Sequence, residues 1–142
     1  MLLALASACS LLTAVEIARV QGEEPAQSKA SADEQKGLLI RQCFYALPTF
    51  ARSISLELTS GSGVRELWRK RFHESEKEEN DSRPQRVRGV GEEAFWSGDP
   101  RLGGLYVLRR DAMLRLAAGG AESKGEKLRR LKLLARKALS RL

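Results

Sequence analysis

The sequence predicts an α+β domain: a mostly antiparallel sheet of four to five strands with three helices packed on it, in the order α-β-β-α-β-β-β-α. Three observations predict it. "RSISLEL" alternates strictly, with Ile54, Leu56 and Leu58 on one side and Ser53, Ser55 and Glu57 on the other, the mark of a strand with one face on a core. "LYVLRRDAMLRLAAGG" sets two apolar runs around a short polar turn, a hairpin signal. Thr13 with Glu16, and Ser123 with Glu126, have capping-box spacing ahead of helical apolar patterns.

In chain order, "TAVEIARVQG" is the first helix, with Val15, Ile17 and Val20 as apolar surface and Gly22 as its stop. The span 23–36 is rich in Ala, Ser and charge and reads as a mobile connection. "LLIRQCFYAL" is a β-prone apolar run, and "PTFA" links it to "RSISLEL" as a hairpin. "VRELWRKRF" places Val64, Leu67, Trp68 and Phe72 on one helical face. The span 73–86 is polar and charged, a second mobile loop, and its His73, the sole histidine, reads as a solvated surface residue. A short run around Phe95 and the hairpin strands follow, with Leu105, Val107, Ala112, Leu114 and Leu116 facing inward. The last helix turns Leu128, Leu131, Ala135, Ala138 and Leu142 to one side, widened by Leu134 and Leu139.

A chain of 142 residues, 42% hydrophobic and 30% charged, fits one globular domain rather than a disordered chain. No apolar run approaches the roughly 20 residues of a membrane span. The net charge of +7 is concentrated at one end: Glu122–Leu142 carries eight Lys/Arg against two Glu.

The start, "MLLALASACSLLTAVE", raises the question of Cys9. A short apolar run ends in Leu5, Ala6, Ser7 and Ala8 directly before the cysteine, the order of a lipobox, in which the cysteine is acylated and becomes the new N-terminus. On this reading residues 1–8 are a shortened signal segment, residues 9–142 are a single α+β domain, and Cys9 is the lipidation site. Two other readings stay open: an apolar N-terminal helix with a buried thiol, and a Cys9–Cys43 disulfide in an oxidised compartment.

The ordered set Leu11–Gly22, Gln42–Tyr45, Ser53–Leu58, Val87–Leu108 and Ala135–Leu142, with the turn "GVGEEAFW" and the strand "GLYVL", resembles a group of small bacterial lipoproteins with no established activity. The resemblance implies an exported, membrane-tethered α+β domain with a PsbP-like sandwich. It brings no catalytic residues with it.

Few stretches point to chemistry. "GVGEE" lacks both the GxGxxG of a dinucleotide loop and the GK[ST] of a P-loop, so Gly89 and Gly91 read as turn residues. Adjacent Glu92 and Glu93 in a strand face opposite sides and make no acid/base pair. Neither a metal-ligand spacing nor a cofactor motif is present, and no catalytic residue is assigned. Phe95, Trp96 and Tyr106 are candidates for an interaction surface, since aromatic residues beside a Gly/Pro turn can stay exposed as anchors. Lys124, Lys127, Arg129, Arg130, Lys132, Arg136, Lys137 and Arg141 are candidate contacts to an anionic surface.

The expectation is therefore a non-enzymatic, membrane-anchored lipoprotein of the cell envelope, facing the periplasm or exterior. It would act as a binding or scaffold module, with anionic lipid, an envelope polymer or a protein as partner. The alternative is an intracellular basic protein that holds nucleic acid with its last helix; without a recognised nucleic-acid motif, that partner is the less expected one.

Overall fold

The computed structural model describes residues 7–74, 83–99 and 101–142. Seven strands form one antiparallel sheet: β1 (Gln27–Gln35), β2 (Leu38–Ala46), β3 (Ile54–Ser60), β4 (Gln85–Val87), β5 (Glu93–Ser97), β6 (Gly104–Arg109) and β7 (Ala112–Ala118). Their order across the sheet is β1-β2-β3-β7-β6-β5-β4. Three helices accompany them: α1 (Ala14–Gln21), α2 (Val64–Trp68), which continues as a π-helical turn over Arg69–His73, and α3 (Lys124–Leu139). The α+β class is as expected; the sheet is wider than four to five strands.

The two additional strands flank the sheet. β1 lies where the sequence suggests a mobile connection, because every one of its residues is exposed on both faces and none leaves an apolar signature. It is held by its backbone ladder to β2, with nine partners in register from Gln27↔Ala46 to Gln35↔Leu38. Lys36 and Gly37, at φ 52° and 81°, close this hairpin with the two left-handed residues that a type I′ turn needs. β4 is three residues long and falls at the end of the span 73–86, of which residues 75–82 lie outside the described chain.

β1–β3 and β4–β7 are two meanders joined along β3 and β7, from Ile54↔Ala118 to Ser60↔Ala112. The alternation seen in "RSISLEL" now has its physical cause. Ile54, Leu56 and Leu58 meet Leu114, Leu116, Leu105 and Val107 under α1 and α3, where Ile17, Leu131, Leu134, Ala135 and Ala138 close the main core. A smaller core lies on the opposite face. Val64, Trp68 and Phe72, spaced every four residues, sit on Phe95, Tyr106, Leu108 and Met113. Leu67, expected on the buried face, is 39% exposed instead.

The helix ends follow their sequence signals. Thr13 and Glu16 form a full capping box, and Gly22 closes α1 in the left-handed conformation. Ser123 accepts from the Glu126 amide, but the Glu126 carboxylate bonds Arg129 and Arg130, so the second box is half formed. Gly91, at φ 61°, sits so close to β6 that a Cβ there would meet Val107 at 2.3 Å and the Leu108 carbonyl at 2.8 Å.

Leu56 is fully buried where the two meanders join. Leu56→Ala is expected to lower unfolding free energy by about 2–5 kcal/mol. Phe50→Ser, at a site 73% exposed, should change it by no more than about 0.5 kcal/mol. Urea unfolding of the two variants checks both values.

Candidate functional site

Cys9 is part of the folded domain. Ala8–Leu11 form a 3-10 turn capped by the Ser7 hydroxyl, with Ala8 and Leu11 buried. The Cys9 sulfur is bonded to that of Cys43 on β2, the Cα atoms 5.0 Å apart. The Tyr45 hydroxyl donates to the Cys9 carbonyl at 3.0 Å, and burial pushes its phenol up to about 12, so it stays protonated and able to donate. A thioether lipid and this disulfide need the same sulfur. Of the uses the sequence leaves open for Cys9, the structure carries the disulfide, which consumes the atom that lipidation requires. Ala8, expected in the discarded segment, is 1% exposed within the main core.

The aromatic trio proposed as a surface is buried: Phe95, Trp96 and Tyr106 are 1%, 2% and 7% exposed. Phe95 stacks on Phe72 with ring centres 4.9 Å apart. The Trp96 indole N–H donates to the Gly98 carbonyl, so its polar edge is used locally. Arg71 and Arg115 both donate to the Tyr106 hydroxyl at 2.9 Å. The turn near Trp96 does not expose it, because Gly103 passes directly over its ring.

Most cations of the basic helix have partners within the molecule, several of them at its surface. Lys127 is buried. Arg130 reaches Glu126 and Glu122, Arg129 reaches Glu126, and Arg141 crosses to Glu16 on α1 at 2.8 Å. Arg136 donates to the Gly89 carbonyl and Lys124 to Gln85. Lys132 and Lys137 complete the set on the outer side, with Lys137 exposed. Hydrogen bonds from Arg129 and then Arg130 bring the Glu126 carboxyl down to about 2.

Two concave regions formed by described residues lie on the α2 side of the sheet. The first is an open polar cleft of about 690 Å³ between α2 and β5. Glu93 Oε1 accepts from the Trp68 indole at 2.8 Å and lies 2.7 Å from His73 Nε2, while Arg86 stands 3.5 Å from Oε2. Burial pushes the Glu93 carboxyl up, but hydrogen bonds from His73 and Trp68, with the charges of His73 and Arg86, hold it below its usual value. His73, expected in solvent, is thus tied to β5, and the π-helical turn brings it there. Glu92 lines the same cleft but is held by Arg65 and the Arg110 amide. Among the described residues, the lining offers no Ser, Thr or Cys side chain as a nucleophile. Among the described residues no group of His, Cys, Asp and Glu could hold a metal ion, and no helix is long and apolar enough to cross a membrane.

The second is an apolar groove over β2, β3 and β7, where no helix among the described residues packs above the sheet. Phe44, Phe50 and Leu102 border it at 37%, 73% and 81% exposure. Sequence reasoning did not select these residues. Signals were present: Phe44 alternates away from Cys43 and Tyr45, while Phe50 and Leu102 are large apolar residues inside turns. Comparison of the chain with protein-family models, curated proteins and solved structures returned no match.

Two ties are open to test. Cys43→Ser removes a bridge across 34 residues and should lower unfolding free energy by about 2–4 kcal/mol. Arg141 holds the Glu16 carboxyl at about 2, so the pair stabilises the fold above the ordinary carboxylate range and this is lost as pH falls toward 2. Glu16→Gln should cost ~1 kcal/mol at neutral pH and flatten the loss of stability between pH 4.5 and about 2, as read by unfolding at stepped pH.

Proposed function

We propose that the protein is an exported binding module of the cell envelope that acts without catalysis. The observation that carries this reading is the half of the sheet without a described helix above it, where Phe44, Phe50 and Leu102, the last two the most exposed large apolar side chains among the described residues, gather around one groove. Export is supported by the Cys9–Cys43 bond, because disulfides persist in oxidising compartments and are rare in the reducing cytosol. Binding rather than catalysis is supported by the cleft, whose His73–Glu93 pair serves to fix the α2 segment on β5 and has no Ser, Thr or Cys side chain beside it among the described lining residues.

This reading keeps the envelope and gives up the lipid on Cys9, since its sulfur is already used. It also weakens nucleic-acid binding. Glu122 and Glu126, already in the segment's charge count, hold Arg129 and Arg130 in ion pairs, and Glu16 from α1 neutralises Arg141 as well.

The test is the state of the two cysteines in protein recovered from its own cells, alkylated before and after reduction and weighed by mass spectrometry. The expected result is no alkylation before reduction and both cysteines alkylated after it, in an extracytoplasmic fraction. A diacylglyceryl adduct on Cys9 with Cys43 alkylated at once, or two free thiols in the cytosol, would overturn the reading.

A further inference from the structure

We propose that the groove over β2, β3 and β7 binds a polypeptide segment that combines an apolar side chain with adjacent carboxylates. The inference rests on the reading of the protein as a binding module and names the chemistry of its partner.

The strand order builds the groove. Ser55 on β3 and Ala117 on β7 are paired in register and form a floor of small side chains. Phe44 on β2 and Phe50 in the following 3-10 turn make one wall, their ring centres 5.9 Å apart. Leu102 makes the other from the β5–β6 turn, where Asp99 accepts from the Arg101 and Leu102 amides and holds the turn in shape. A floor without bulk between apolar walls accommodates an aliphatic or aromatic side chain from outside.

The charge at the groove selects among occupants. Its charged lining residues are Arg101 and Arg115, with no Asp or Glu among them. Arg115 is fixed by its Nε–H to the Tyr106 hydroxyl at 2.9 Å, and its terminal nitrogens have no hydrogen-bond partner among the described residues. Glu57 stands opposite Arg115 in the ladder, but its carboxylate takes the Gln42 amide at 2.7 Å. Neither arginine has a carboxylate within ion-pair distance among the described residues. The complement is an apolar group flanked by acids, and Arg beside aromatic residues is the composition of protein-binding hot spots.

A second copy fits less well, because a two-fold contact would set the arginines of one groove against those of the other. An acyl chain also fits less well, because the groove is open and its walls are single side chains that enclose little of a ligand's surface.

The experiment uses the full chain with its disulfide intact. A displayed random peptide library is selected on it, and the enriched peptides are synthesised and titrated by fluorescence anisotropy. Phe50→Ser/Leu102→Ser and Arg101→Glu are measured alongside, each checked by circular dichroism for an unchanged fold. The expected result is that enriched peptides pair Asp or Glu with a large apolar residue, and that each variant binds them at least about tenfold more weakly. Binders without an acidic bias, or binders that tolerate both variants, would overturn the groove assignment and leave the binding-module reading standing. Absence of any binder would overturn both. Phosphatidylglycerol vesicles that retain the wild type but not Phe50→Ser/Leu102→Ser would assign the face to membrane. Loss of a wild-type dimer in that variant, seen by sedimentation, would assign it to self-association. Either of these last results overturns the proposal.

Discussion

The pairing of β3 with β7 is the constraint on which the rest depends. Each strand ends a meander, and a single antiparallel ladder from Ile54↔Ala118 to Ser60↔Ala112 joins them into one sheet. A slip of one residue would turn Leu56, Leu58, Leu114 and Leu116 to the wrong face. With the register fixed, Leu56, Leu58, Leu105, Val107, Leu114 and Leu116 lie under α1 and α3, and the disulfide ties the N-terminal turn to the strand next to β3.

Coverage of the sheet is unequal for a reason of length. One face receives α1, α3 and the N-terminal turn. Among the described residues, the other receives α2 and its π-helical turn alone, five residues each. Ten helical residues extend about 15 Å, enough for roughly three strands spaced ~4.8 Å apart. That cover seals Phe95, Tyr106, Leu108 and Met113 on β5–β7 and ends there. Phe44 and its neighbours stay open, and the groove is what this short helix does not reach.

Charge obeys the same geometry. The last helix is strongly basic when counted along the chain, yet Arg129 and Arg130 meet acids of the same segment, and Arg136 and Arg141 meet a carbonyl and an acid distant in sequence. Arg141 and Glu16 stand 125 residues apart and bind at 2.8 Å, locking α3 to α1. The half-formed capping box at Ser123 belongs to the same pattern, since Glu126 serves two arginines instead of the helix end. Part of a surplus that looks like a binding patch thus serves to hold two helices together, through Arg141 on Glu16 and Arg130 on Gln21.

The sequence by itself determined the α+β class, β2, β3, β6 and β7, the cap of α1 and most of the core side of α3. These features are local, because alternation, helical spacing and capping act within a few residues. It could not show β1, whose nine residues are all exposed and are paired by the backbone ladder to β2. Nor could it choose which aromatic residues are covered. Phe95, Trp96 and Tyr106 lie under α2 or within the main core, while Phe44 and Phe50 do not, and only the packing of α2 over one side of the sheet separates them. The fate of Cys9 was decided in the same way. A sulfur after a small-residue run is open to several uses until the fold brings Cys43, 34 residues away, into bonding distance.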